Sequence, residues 1–193
     1  VFGLFDAKDT KIQEATSKAD GSVVFTKIPY GSYTIREISA PYGYHPSKEE
    51  WKVEVDGTYV NPTTLLATVE NQLAPGRIKI FKQDELDKHV IAGVQFDIFT
   101  VGADGKPGDL VTKMTTGKDG FAESPDLFPA DYFVQEHANP TGYTDQLWSE
   151  KITMGMDETI TRTVNNMPVQ GKIRIVKTDS ETGKGLPGAV SVS

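Results

Sequence analysis

The chain has 193 residues, 37% of them hydrophobic, enough for one large or two small domains, and no apolar run is long enough to span a bilayer. Twenty Lys and Arg against 27 Asp and Glu give a formal charge of -7 without a basic cluster, which excludes the electrostatic footprint of nucleic-acid binding. With no cysteine there are no disulfides and no thiolate metal sites, so any internal staple must use other chemistry.

Taken in chain order, VFGLF (1–5) opens a segment lacking the charged and long apolar parts of a signal peptide. IQEATSKA (12–19) is expected to form a helical turn or two. YTIRE (33–37) places Tyr33, Ile35 and Glu37 on one side of a strand, and LLATVEN (65–71) places Leu65, Ala67, Val69 and Asn71 in phase. RIKIFK (77–82) then aligns Ile78, Ile80 and Lys82, and YFVQE (132–136) aligns Tyr132, Val134 and Glu136. Val164 shares a side with Asn166, and KIRIVK (172–177) repeats the first oddity with Ile173, Ile175 and Lys177. Turn signals separate these segments: ADG (19–21), VDG (55–57), ADG (103–105) and KDG (118–120). Short alternating segments rich in Val, Ile, Thr, Phe and Tyr between such turns predict an all-β sandwich with little helix.

The chain also repeats itself. YGSYTIREISAPYGY (30–44) matches ADYFVQEHANPTGY (130–143), ATVENQLAPGRIKIFKQD (67–84) matches RTVNNMPVQGKIRIVKTD (162–179), and VFGLF matches QFDIF (95–99), with offsets of 94 to 99 residues. The repeat divides the chain into three segments: residues 1–75, a repeat lacking its first strand; residues 76–170, a complete repeat; and residues 171–193, the first strand and hairpin of a further one. The last is too short to bury a core alone.

Lysine, glutamate and asparagine on inward faces are each costly alone, and less so if they meet. Two readings are open. In one, Lys82 and Glu136 form a buried ion pair with Asn166 as an amide helper. In the other, desolvation neutralises the amine, which then attacks the asparagine carboxamide while the carboxyl polarises its oxygen and relays protons to departing ammonia. The product is a Lys-Asn isopeptide bond, formed once.

An I-x-I-x-K strand followed by K-x-D, then Y-x-[VI]-x-E-x-x-x-P-x-G-Y, then a closing V-x-N, resembles the Cna B-type (SpaA-like) repeats of Gram-positive surface adhesins and pilins. The resemblance covers nearly the whole chain. It implies tandem immunoglobulin-like, prealbumin-like β-sandwich domains with intramolecular isopeptide bonds. Carried over by position, it makes Lys82 the amine, Asn166 the acceptor and Glu136 the catalytic acid of the complete repeat. In the first repeat only Glu37 and Asn71 match, and Lys177 is the amine of the third. Two departures stand out: Asn165 adjoins Asn166, and HANP (137–140) replaces the A-P that ISAP (38–41) retains.

His45, His89 and His137 have no metal-ligand spacing, and TGKGLPG (182–188) reads as a hairpin turn, not a phosphate loop. No cofactor, metal, nucleic acid or membrane insertion is expected, and no turnover enzyme. The expected role is a stalk or shaft repeat at the cell wall or surface of a Gram-positive bacterium, partnered by neighbouring repeats. Its bond would tie the strand where the chain comes in to the strand where it leaves. Two readings of the tail at 171–193 are open: it reaches a second copy head to tail, with Lys177 bonding Asn71, or the repeat is simply cut there and its end is frayed. The alternative is a secreted adhesin module whose loops grip a host protein or glycan.

Overall fold

The computed structural model describes residues 1–59 and 66–188. Among them the structure is strands and turns, with one short 3-10 turn at Gly57–Tyr59 and no α-helix. Among the described residues no helix is long and apolar enough to cross a membrane.

The first unit builds one four-stranded sheet from β1 (Phe2–Phe5), β2 (Lys11–Ala15), β3 (Gly31–Glu37) and β5 (Glu50–Val55), in the order β2-β1-β3-β5. A two-stranded ladder joins β4 (Tyr44–His45) to β6 (Gln72–Leu73). The second unit repeats the four-stranded sheet with β8 (Gln95–Val101), β9 (Pro107–Thr115), β11 (Asp131–Glu136) and β12 (Ser149–Thr153), in the order β12-β11-β8-β9. It then adds a facing sheet that has no counterpart among the described residues of the first unit. There β7 (Arg77–Asp84) lies between β10 (Phe121–Glu123), antiparallel to it, and β13 (Thr159–Asn166), parallel to it over all eight positions.

The two units therefore bury different amounts of apolar surface. In the second, β7 alternates Ile78, Ile80 and Lys82 inward and joins a core that includes Val94, Phe96, Ile98, Tyr132, Val134, Ile152 and Val164. Among the described residues the first unit has a smaller cluster, Leu4, Tyr33 and Val53, with Phe25, Ile28, Ile35 and Val55 partly buried against it. At about 25 cal/mol per Å² of apolar burial, the second unit has much the larger driving force to fold.

Two expectations need correction. IQEATSKA is not a helical turn: Lys11–Ala15 form the edge strand β2, paired to β1 through Phe2↔Ala15 and Leu4↔Gln13. A ladder with a distant partner overrides the weak local preference of a short polar segment. Residues 66–71 keep the alternation read for LLATVEN, with Ala67, Val69 and Asn71 half-buried, yet take no place in a sheet. Their counterpart β13 is a strand because β7 lies beside it, and no described strand stands there in the first unit. Leu65 lies outside the described residues, as do 189–193 of the expected third repeat. KIRIVK likewise joins no sheet, and the residues after it form a hairpin closed at Thr178↔Gly185.

Aromatic side chains close the junction between units. Tyr42 and Tyr44 both pack on Phe128, at centroid distances of 6.0 and 6.2 Å. Gly43, at φ 90°, lies so close that a Cβ there would stand 2.3 Å from the Phe128 ring.

Candidate functional site

Strand periodicity places a fully buried lysine, Lys82, in line with Ile78 and Ile80 on the central strand of the facing sheet. On the opposite sheet, β11 turns Glu136 inward after Tyr132 and Val134, with 3% of its surface exposed. Lys82 Nζ lies 3.3 Å from Glu136 Oε1. Asn166, 4% exposed, ends β13 on the same face as Val164, which stands beside Lys82 in the parallel register. Asn165 is exposed. Sequence phase aligns each residue only with its own strand's core; the fold turns all three into one interior.

The trio is poorly satisfied as a polar network. Among the described residues, three buried side-chain nitrogen or oxygen atoms lack a hydrogen-bond partner: Lys82 Nζ, Glu136 Oε1 and Asn166 Oδ1. The Lys82-Glu136 approach is close but not aligned as a hydrogen bond. Each orphaned buried polar atom costs roughly 1–3 kcal/mol. Burial pushes the Lys82 ammonium below its ordinary range, with the Glu136 charge pulling the other way.

The remaining bonds fix orientation. Glu136 Oε2 accepts the Trp148 backbone N–H at 3.3 Å, and the Trp148 ring meets buried Phe96 edge-on. Asn166 Nδ2 donates to Asn139 Oδ1 at 2.9 Å, which sets the carboxamide so that its oxygen is the unpartnered atom. Asn139 is not among the residues that the sequence pattern singles out. Its signal is the replacement of the alanine of ISAP by asparagine in HANP, but loop positions have no periodicity from which to read direction.

In the first unit the structure brings Glu37 and Asn71 together: Asn71 Nδ2 donates to Glu37 Oε2 at 2.6 Å and to the His45 carbonyl at 3.1 Å. Ser47 N–H donates to the same carboxylate oxygen at 2.6 Å. Lys177 is not with them; it is exposed, in a segment where Ile173 and Ile175 are 92% and 85% exposed.

Asp84, Asp87 and His89 also cluster. Asp84 is already engaged, its Oδ1 accepting the Leu86 and Asp87 N–H groups and its Oδ2 the Tyr143 hydroxyl. These bonds explain the cluster as a turn. His45 and His137 bond to carboxylates of their own, Asp157 and Asp97.

Comparison with known proteins agrees with this architecture. A family model described as the SpaA prealbumin-like fold domain matches residues 1–67 and 76–168, one match per unit. The chain is 28% identical over 185 residues to serine-aspartate repeat-containing protein D of Staphylococcus aureus strain Newman, an alignment covering 86% of this chain and 13% of the relative. The chain thus spans about an eighth of the length of the curated relative it matches. Among solved structures, the Bacillus anthracis TIE protein aligns with a TM-score of 0.70 and 25% identity, over 86% of this chain and 29% of that one. A C-terminal fragment of the pilus adhesin SpaC from Lactobacillus rhamnosus GG shares the fold with a TM-score of 0.54 and 15% identity, over 89% of this chain and 90% of that fragment.

Proposed function

Since the chain belongs to the SpaA family of prealbumin-like fold domains, we propose that it is a structural stalk or shaft repeat of a Gram-positive cell-surface adhesin or pilin, stiffened by a Lys82-Asn166 isopeptide bond. The observation that carries the bond is the identity of the three orphaned buried atoms, one from each member of the trio. A settled ion-pair network would have paired them.

The chemistry balances without a cofactor. Lys82 Nζ, its protonated form disfavoured by burial, attacks Cγ of Asn166. A C–N bond forms from Lys82, the bond from Cγ to Nδ2 breaks, and the nitrogen leaves as ammonia. Glu136, 3.3 Å from Nζ, carries the proton from the attacking to the departing nitrogen and polarises Oδ1. Asn139 is a positioning residue whose Oδ1 holds Nδ2 and so fixes the carboxamide. Burial of all three groups excludes competing water.

The inter-unit contacts favour a stalk over a ligand-binding module. Tyr42 and Tyr44 of the first unit pack on Phe128 of the second and so couple the two units, although all three keep part of their surface exposed. A surface location follows from the same family reading.

Intact mass under denaturing conditions tests the bond. The chain should be lighter than its sequence mass by one ammonia, and peptide mapping should join Lys82 to Asn166 and not to Asn165. Asn139→Ala should retain the bond but slow its formation in freshly refolded protein by roughly tenfold, the effect of one lost hydrogen bond of about 1.4 kcal/mol. A full-mass wild type would reduce the trio to a buried polar network.

A further inference from the structure

Two asparagines stand side by side at the end of β13, and backbone phase alone decides which of them faces the core. Asn166 is buried on the same side as Val164, and Asn165 is exposed. A shift of phase by one residue, as a β-bulge produces, would exchange them. Both carboxamides offer Lys82 the same chemistry, so the choice between them rests on what holds the end of the strand.

Two backbone fixtures bracket Asn166. On the side of β7, just beyond the register pair Asn166↔Asp84, the Glu85 N–H donates to the Asn166 carbonyl at 2.9 Å. On the other side, the residues after Asn166 are stitched to the 142–144 segment. Thr144 N–H donates to the Met167 carbonyl at 2.9 Å, Val169 N–H donates to the Gly142 carbonyl at 2.8 Å, and Tyr143 bridges to Pro168 between them.

One carboxylate serves both fixtures. Asp84 is buried at the end of β7, two residues beyond Lys82. Its Oδ1 accepts the Leu86 and Asp87 N–H groups at 2.7 and 3.1 Å, which turns the chain directly after Glu85, the donor to Asn166. Its Oδ2 accepts the Tyr143 hydroxyl at 3.0 Å and so pins the 142–144 segment. His89 Nε2 lies 3.2 Å from the same hydroxyl. Burial works against the charge of Asp84, but the bonds from Asp87, Leu86 and Tyr143 outweigh it and hold the carboxyl below its ordinary range. At neutral pH it is therefore an acceptor only, as all three donors require. The loop that ends in Tyr143 also carries Asn139, whose Oδ1 holds the Asn166 carboxamide.

We propose that Asp84 is a positioning residue of the cross-linking reaction, and that by fixing the end of β13 it selects Asn166 over its neighbour Asn165 as the acceptor. The inference rests on the isopeptide reading above. Without the Asp84 carboxylate, the turn at Glu85 and the anchor at Tyr143 loosen together, and a bulge at 165–166 turns Asn165 inward in a fraction of the chains. There the same exchange would proceed: a bond forms from Lys82 Nζ to Cγ of Asn165, the bond from Cγ to Nδ2 breaks, and ammonia leaves.

The test follows the whole chain after refolding, by intact mass over time and by fragmentation of the cross-linked peptides. Fragmentation is needed because links to either asparagine lose one ammonia and weigh the same. Wild type should link at Asn166 alone. Asp84→Ala should slow the loss of ammonia by roughly tenfold or more and yield a second cross-linked peptide at Asn165. Asp84→Asn keeps an acceptor for the turn and should rescue most of the selectivity. Tyr143→Phe, which removes only the hydroxyl, should give the Asn165 product on a folded chain. Ile152→Val, a change in the buried face of the four-stranded sheet, should loosen the unit and still link at Asn166 alone. Links solely at Asn166 in Tyr143→Phe, or in folded Asp84→Ala, overturn the proposal. So does an Asn165 product in Ile152→Val, because general loosening would then explain it. A wild type at full sequence mass overturns the isopeptide reading and the acceptor choice with it, whereas a linked wild type with unchanged selectivity in the variants marks a failure here alone.

Discussion

Asn166→Ala is expected to destabilise the second unit by about 4 to 5 kcal/mol and to restore the full sequence mass. The size follows from loop closure: the bond encloses about 84 residues between Lys82 and Asn166, and a cross-link of that span removes about that much conformational entropy from the unfolded chain. The ion-pair reading gives a smaller number. Lys82 and Glu136 both survive in this variant, so only the carboxamide and its bond to Asn139 are lost, worth about 1 to 3 kcal/mol. The denaturant slope separates the two further, because an unlinked chain exposes more surface on unfolding and its slope should rise. Glu136→Ala should also show full mass. It should be at least as unstable, since it leaves the Lys82 amine buried with neither a bond nor a counter-charge. Urea titration of wild type and both variants, followed through Trp148 in a Trp51→Phe background, makes the measurement. A loss near 1 kcal/mol with unchanged slope would end the covalent account.

Linked and unlinked chains should also respond differently to alkali. In the unlinked Asn166→Ala variant, Lys82 titrates. Its folded pKa is lowered by burial, against the attraction of Glu136, from the 10.5 of a free lysine. Between those two values the unfolded chain holds a proton that the folded chain has released, so stability rises with pH across that window. The slope is up to about 1.4 kcal/mol per pH unit for one proton. Below the folded pKa the full cost of burying the cation remains. In the linked wild type, Lys82 nitrogen is an amide and contributes no slope. Lys82→Met/Asn166→Ala removes the group altogether and should match wild type in slope, though not in absolute stability. Melting across the alkaline range compares the three, and a wild type as steep as Asn166→Ala would show that Lys82 is still an amine.

The strands of the second unit are legible because each carries its own alternation and finds its partners close by. Ile78, Ile80 and Lys82, or Tyr132, Val134 and Glu136, can be placed inward from period two alone. What sequence phase cannot supply is the partner. Lys11–Ala15 form a strand because β1 lies ready to pair with them, though their sequence reads as a helical turn, and residues 66–71 join no sheet although they alternate plainly. Asn139 escapes notice for a different reason. It sits in a loop, where the direction of a side chain is set by turn geometry and not by repeat, and only the comparison of HANP with ISAP marks it.

The parallel pairing of β7 with β13 has a mechanical meaning apart from any covalent bond. Tension along the array pulls β7 from its Arg77 end and β13 from its Asn166 end, and in the parallel register these are opposite ends of the pair. The pair is therefore loaded in shear. A hairpin pulled at its open end peels one rung after another, each bearing the load alone, whereas here the rungs between Thr159↔Arg77 and Asn166↔Asp84 share it and must yield together. Rupture force then depends on cooperative failure along the whole strand length, and forced unfolding, governed by its rate, need not rank variants in the order of their melting temperatures.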